Sequence, residues 1–143
     1  MVAGVMGSET CSPSRPVPIL HFHGTDDRFV PYAGGVGRRS KSETIFYSVE
    51  HTVRKWVKAN RARNRPLITL LPERVADGTH VTRTRYPAGY GSAEFVLYTI
   101  EGAGHTWPGR QPEFDFLGVS TRNLVASDVI SEFFQQHLPP QSS

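Results

Sequence analysis

Two short apolar runs, each closed by glycine, constrain this chain more than any other feature. Val17-Pro-Ile-Leu-His-Phe-His23 stops at Gly24, and Phe95-Val-Leu-Tyr-Thr-Ile100 gives way to Gly102 and Gly104. Runs of this length, with β-branched and aromatic members and no polar alternation, predict strands buried on both faces, as in a parallel sheet. Pro18 then belongs near the start of its strand, where a missing N–H is tolerated. Strands buried on both faces need cover on both, so helices are expected to flank them. In such sheets functional groups gather at the carboxyl ends of the strands. The loops after Gly24 and after Ile100 are therefore the places to look for chemistry.

The remaining chain supplies the cover. Residues 1–16 run from small apolar residues into Ser8, Thr10, Ser12, Pro13, Ser14 and Pro16, a strand end and a loop. The proline- and glycine-rich stretch from Asp26 to about Ser42 reads as loop. Val49, Val53, Trp56 and Val57 fall at i, i+4, i+7 and i+8, one face of a helix from about Ser48 to Ala59, with Ser48 or Ser42 as its cap. Leu67–Leu71 and His80–Tyr86 flank an Asp77-Gly78 turn signal and predict an antiparallel pair. Val125, Val129, Ile130, Phe133 and Phe134 line one face of a last helix, from about Asn123 to His137, which Pro139-Pro140 forbids to continue. The order predicts an α/β fold: a few-stranded parallel sheet with flanking helices and an antiparallel hairpin excursion, in a single domain over residues 1–143.

Composition removes several classes of function. At 143 residues the chain is too short for a (β/α)₈ barrel, which takes about 200 or more. Its net charge of +3 rests on 13 Arg and 3 Lys, and six basic residues fall between Arg54 and Arg65 with no acid among them. That run reads as a solvated helix face and the loop after it, so nucleic acid is not an expected partner. One cysteine, Cys11, closes no disulfide within the chain and excludes a cysteine-based zinc site. No apolar run approaches the ~20 residues that span a bilayer. Met1–Met6 lacks the basic start of a signal peptide, so the sequence carries no export address and leaves localisation open.

The first loop reads His23-Gly-Thr-Asp-Asp27-Arg-Phe-Val-Pro-Tyr32 and the second Gly102-Ala-Gly-His105-Thr-Trp-Pro-Gly109. An acid on one and a histidine on the next are two members of a hydrolase triad. The acid orients the imidazole and stabilises its charged form, and the imidazole takes the nucleophile's proton. These segments resemble the polyhydroxybutyrate depolymerase and feruloyl esterase family of α/β-hydrolases. The resemblance extends through Thr52-Val-Arg-Lys-Trp56 with Asn60, Asp77-Gly-Thr79, Leu97–Gly102, and Ala126-Ser127 with Glu132-Phe-Phe134, nearly the whole chain. It implies a partial α/β-hydrolase fold, its carboxyl-terminal part, and a carboxylic ester hydrolase whose acid is Asp27 and whose base is His105. Trp107 and Tyr32 are then substrate-side residues, no cofactor is expected, and the substrate is a small ester or a polyester. Relatives in the family are often secreted.

The departures are as informative as the match. The nucleophile frame Gly-x-Ser-x-Gly, expected before the acid, does not occur in the sequence. Ser8, Ser12 and Ser14 precede the acid without a glycine frame, and Gly118-Val-Ser120-Thr-Arg122 follows His105 and reads as a helix-entry serine. The family's cysteine pair is also missing; Ala62 and Ala88 stand roughly in those positions, and Cys11 resembles another family cysteine whose partner would lie outside the chain. The sequence thus looks like a truncated esterase. The alternatives are a non-catalytic oligomeric module of hydrolase ancestry, and a metal-dependent hydrolase using His21 and His23, which share a strand face. Cutting a parallel sheet leaves an unpaired edge, so a homo-oligomer is expected.

Overall fold

A computed structural model describes residues 1–39 and 43–138. Ser42, the alternative cap, and Pro139-Pro140 lie outside the described residues. The two apolar runs are strands β1 (Ile19–Gly24) and β6 (Phe95–Glu101), paired in parallel with Ile19 opposite Phe95 and Gly24 opposite Ile100. Between them come a two-residue ribbon of β2 (Gly35–Val36) and β3 (Ile45–Phe46), helix α1 (Val49–Ala59), and strands β4 (Leu67–Leu70) and β5 (His80–Tyr86). Helix α2 (Ala126–Gln136) follows the second candidate loop.

The sheet order is β1-β6-β5-β4. Of these four strands, β1 and β6 run parallel; β5 is antiparallel to β6, and β4 to β5. The expected parallel sheet is therefore a mixed one. The hairpin is not an excursion: β5 pairs with β6 along its whole length, because Val81 buries its side chain among the same core residues as Ile100. On the opposite margin Met1–Ala3 lies along β1. Ala3 donates to Phe22 O and Phe22 N–H to Met1 O, both at 2.9 Å, and Val2 bridges Phe22 in parallel. The strand end read in the first residues is thus part of the sheet, and it covers the outer edge of β1.

Alternate residues of the central strands face different helices, as period-two geometry requires. Leu20, Phe22, Val96, Tyr98 and Ile100 pack with Ala126 and Phe133 of α2, and Phe22 stacks on Tyr98 with ring centroids 5.0 Å apart. Phe95 and Leu97 pack on the other side with Val49 and Val53 of α1. Phe22 and Phe95 are essentially inaccessible to solvent; full burial of such a side chain contributes about 1.5–3 kcal/mol.

Helix α1 begins where the spacing placed it: Ser48 accepts from His51 N–H at 3.0 Å and satisfies a donor of the first turn. Asn60 ends it and does more. Its side chain exchanges hydrogen bonds with the Val17 backbone, and its carbonyl accepts from Ala93 N–H at 3.1 Å. One buried amide thus joins the end of α1 to the entries of both central strands. Helix α2 starts three residues later than the apolar spacing suggests. Asn123 is drawn outside it, because its amide oxygen accepts from Arg74 and Val75 N–H at 2.7 and 2.8 Å. The helix start is met instead by a loop: Ala126 N–H donates to Pro108 O at 3.0 Å.

Candidate functional site

Because β1 and β6 are parallel neighbours, their carboxyl ends open side by side. Thr25 N–H donates to Ile100 O, Asp26 N–H to Ala103 O, and Gly102 N–H to the Thr25 hydroxyl, all between 2.9 and 3.0 Å. Gly24 is needed here, since a Cβ would collide with Ala103 O. These bonds bring the acid loop against the histidine loop.

The two aspartates of the acid loop then take opposite roles. Asp26 is exposed and meets the Thr25 hydroxyl. Asp27 is buried, and its Oδ1 accepts from Phe29 and Val30 N–H, each at 2.8 Å. Its Oδ2 lies 2.8 Å from His105 Nδ1. The structure thus brings the two sequence-predicted residues together in the geometry of an acid–base pair. Burial would raise the Asp27 carboxyl, but the His105 hydrogen bond and the two backbone donors outweigh it and hold it below its ordinary value. The carboxylate therefore fixes the proton on Nδ1, and the same bond raises His105 above the ordinary imidazole range. In the neutral ring Nε2 is the bare, basic nitrogen.

His105 is held by its backbone as well. A second segment, residues 115–123, straps the histidine loop: Gly104 N–H donates to Val119 O, His105 N–H to Leu117 O and Gly109 N–H to Thr121 O, at 2.8–2.9 Å. A side chain at Gly104 would run into Leu117 O, so this contact too depends on glycine. The strap is itself anchored by Asp77, which accepts from Arg122 N–H at 2.6 Å, Thr79 N–H at 2.9 Å and the Thr79 hydroxyl at 2.7 Å. Ser120 belongs to this strap rather than to a helix entry; its hydroxyl donates to Trp107 O at 3.0 Å, and α2 starts only at Ala126.

Nε2 of His105 forms no hydrogen bond among the described residues, and no serine among them bonds to His105. What surrounds the ring is aromatic. Phe29 lies 5.2 Å from it between ring centroids, Phe116 is 6.1 Å beyond Phe29, and Phe114 stacks on Phe116 at 5.1 Å. Phe114 and Phe116 are about half exposed, at 50% and 47%. Sequence reasoning missed all three, although the Phe114-x-Phe116 doublet just before Gly118 was a visible signal. Trp107 is also partly exposed, with its indole N–H on Ser127 at 3.2 Å. Tyr32 lies deeper: its hydroxyl is 2.9 Å from that of Thr99, and its ring meets His23 edge-on.

His21 and His23 are bonded to one another and to the backbone. Both are buried, and His21 Nε2 lies 3.2 Å from His23 Nδ1 while His23 Nε2 lies 2.9 Å from Val30 O. The carbonyl can only accept, so His23 carries its proton on Nε2 and accepts from His21 on Nδ1. Burial keeps both rings neutral, pushing His21 down to about 3. Among the described residues no group of three His, Cys, Asp or Glu is placed to hold a metal. His23 instead braces the turn that supplies the N–H groups on Asp27.

No helix among the described residues is long and apolar enough to cross a membrane. Cys11 is free and half-buried, with its thiol pushed up by burial. The segments carrying Ala62 and Ala88 run side by side, Arg63 N–H donating to Pro87 O at 2.9 Å.

The chain is similar to proteins named as esterases. It is 30% identical over 108 residues to a feruloyl esterase B of Piromyces equi, an alignment covering 75% of this chain and 19% of that protein. It is 27% identical over 145 aligned positions to NocK of Nocardia uniformis subsp. tsuyamanensis, named as an inferred esterase, covering 92% of this chain and 42% of the relative. The chain therefore spans less than half the length of either. No protein-family profile matches it. The similarity is distant and points to carboxylic ester hydrolases as a class.

Proposed function

We propose that the chain carries the acid–base half of a serine-type carboxylic ester hydrolase. Asp27 orients His105 and holds its proton on Nδ1, and Nε2 takes the proton of a nucleophile and returns it to the leaving alcohol. One observation carries the reading: a buried carboxylate, committed to two backbone donors, lies 2.8 Å from Nδ1 of a half-exposed imidazole whose other nitrogen is open. The opening of Nε2 to solvent separates His105 from His23, whose two nitrogens are both engaged in the core.

On this reading the fold is the part of an α/β-hydrolase that bears the acid and histidine loops. With no Gly-x-Ser-x-Gly in the 143 residues, the nucleophile comes from polypeptide outside them, or activated water serves in its place. Nucleophile and base act as a unit, so the chain by itself retains only a small part of the full activity. The aromatic surface of Phe29, Phe114 and Phe116, with Trp107, favours esters with an aromatic or apolar acyl group, such as feruloyl esters and hydroxyalkanoate polyesters. Tyr32 serves the substrate side through the shape of the acid loop. The test is turnover of p-nitrophenyl acetate and methyl ferulate by the chain and by His105→Ala. Loss of turnover in the variant is expected; equal turnover removes the acid–base role.

A further inference from the structure

The free edge of the sheet is built against the usual rule. Edge strands in soluble proteins carry charges, prolines or bulges that discourage pairing with another chain. Strand β4 carries neither charge nor proline within its own span, although Pro66 and Pro72 flank it. Leu67, Ile68 and Leu70 are 57%, 69% and 69% exposed, and no charged residue lies between Pro66 and Pro72. The sequence predicts an oligomer through an unpaired sheet edge without saying which edge, and Met1–Ala3 lies along the margin of β1. Among the described residues, the unpaired edge is at the other end, on β4.

The backbone pattern says which groups are free. Leu71 N–H donates to Val81 O at 2.9 Å, so in this antiparallel pair the odd-numbered residues of β4 direct their backbone groups to β5. Ile68 and Leu70 turn theirs outward. Their side chains share the α1 face of the sheet, while Leu71 joins the core on the α2 face.

We propose that a second copy of this chain pairs along β4, antiparallel, about a two-fold axis through Thr69. Antiparallel strands exchange hydrogen bonds only between residues whose backbone groups face one another, so even-numbered residues must oppose even-numbered ones. Ile68 opposite Leu70 of the second copy gives two such pairs, each exchanging both bonds. Thr69 then opposes itself and Leu67 opposes Leu71. The neighbouring registers are poorer: Ile68 on Ile68 sets Leu70 against Pro66, and Leu70 on Leu70 sets Ile68 against Pro72, each time a residue with no N–H to give. In the favoured register those prolines face each other and close the ladder at both ends.

Beyond the strand and its flanking prolines, the same two-fold brings the segment carrying Arg65 toward the segment carrying Glu73, once on each side of the axis. Both side chains are exposed. Glu73 has a contact within its own chain, to His80 Nδ1 at 3.5 Å, but both groups are about half exposed, and such surface pairs are worth little. Nothing holds the carboxylate back from a cross-strand arginine. Charge and backbone thus select one register, and a two-fold pairing is self-complementary by construction.

The experiment is sedimentation velocity on the full chain across a wide concentration range, with circular dichroism to confirm that each variant folds. A reversible monomer–dimer equilibrium is expected. Ile68→Pro removes an outward donor without touching the bonds to β5 and should leave the chain monomeric. Glu73→Arg should weaken the dimer about tenfold by turning two attractive pairs into repulsive ones. Adding Arg65→Glu to it should restore the affinity, because each pair is then Glu opposite Arg again. A chain monomeric at all concentrations, a dimer indifferent to Ile68→Pro, or a double variant no tighter than Glu73→Arg each overturns the proposal. A monomer that takes up an extended segment of a different protein along β4 overturns it as well.

Discussion

Changing Asp27 to asparagine preserves the shape of the acid and reverses one hydrogen bond. The wild-type carboxylate accepts from Phe29 N–H, Val30 N–H and His105 Nδ1–H, each at 2.8 Å. In Asp27→Asn the amide oxygen can keep both backbone donors, and the amide nitrogen then faces Nδ1. That nitrogen must turn acceptor, so the imidazole proton moves to Nε2, the atom that has to be bare to act as a base. A hydrogen bond to a charged group contributes about 1.5–3 kcal/mol and a neutral one about 0.5–1.5. Exchanging one for the other predicts a loss near 1–2 kcal/mol. The His105 side chain is 34% exposed, and solvent screening places the expected value toward the lower end, about 1 kcal/mol. Equilibrium urea unfolding reads the stability, and NMR of the imidazole nitrogens reads the tautomer. A variant of unchanged stability whose His105 still carries its proton on Nδ1 would show that Asp27 does not set the state of the ring.

Two other outcomes follow from the same geometry. His105 is raised from its ordinary 6.5, so its contribution to stability is complete below that pH and fades as pH rises through its folded value. Asp27 is lowered from its ordinary 3.8, so its contribution is complete above that pH and fades as pH falls through its folded value. Unfolding free energy should therefore show its pair-dependent maximum between those limits, and the difference between wild type and Asp27→Ala should shrink on either side. Asp77→Ala strips the acceptor from Arg122 N–H, Thr79 N–H and the Thr79 hydroxyl. About 1–2 kcal/mol should be lost, chiefly for the buried Thr79 N–H, since the Thr79 hydroxyl keeps Thr121 and Arg122 is exposed, with faster amide exchange at Gly104 and His105. Exchange there at the wild-type rate would show that the strap does not depend on Asp77.

Much of this was legible in the sequence because it is local. Two apolar runs without alternation marked β1 and β6, and the spacing of Val49, Val53, Trp56 and Val57 marked α1 with its Ser48 cap. The contact of Asp27 with His105 was legible because parallel neighbours place their following loops together, so the two could be paired across 77 intervening residues from motif and topology. What the sequence hid depends on long-range partners. Nothing local says that β5 should lie against β6, because the choice is made by Val81 entering the α2-side core. The late start of α2 reflects Asn123 caring for backbone donors of residues 74 and 75 rather than for its own helix. Strand β2 lies in the stretch that reads as loop and β3 in the gap before α1, since two residues a side leave no periodicity to see. The aromatic group at His105 assembles from Phe29 and Phe116, on separate loops. Neither loop announces the other.

The most direct test of the acid–base assignment joins two readings on one sample. The pH at which the His105 imidazole loses its proton is measured by NMR, and p-nitrophenyl acetate turnover is followed across the same range. Turnover should rise as His105 becomes neutral, with its inflection at the NMR-determined value, and both should vanish in His105→Ala. Turnover that is independent of the ionisation of His105, or that survives its replacement, would contradict the assignment.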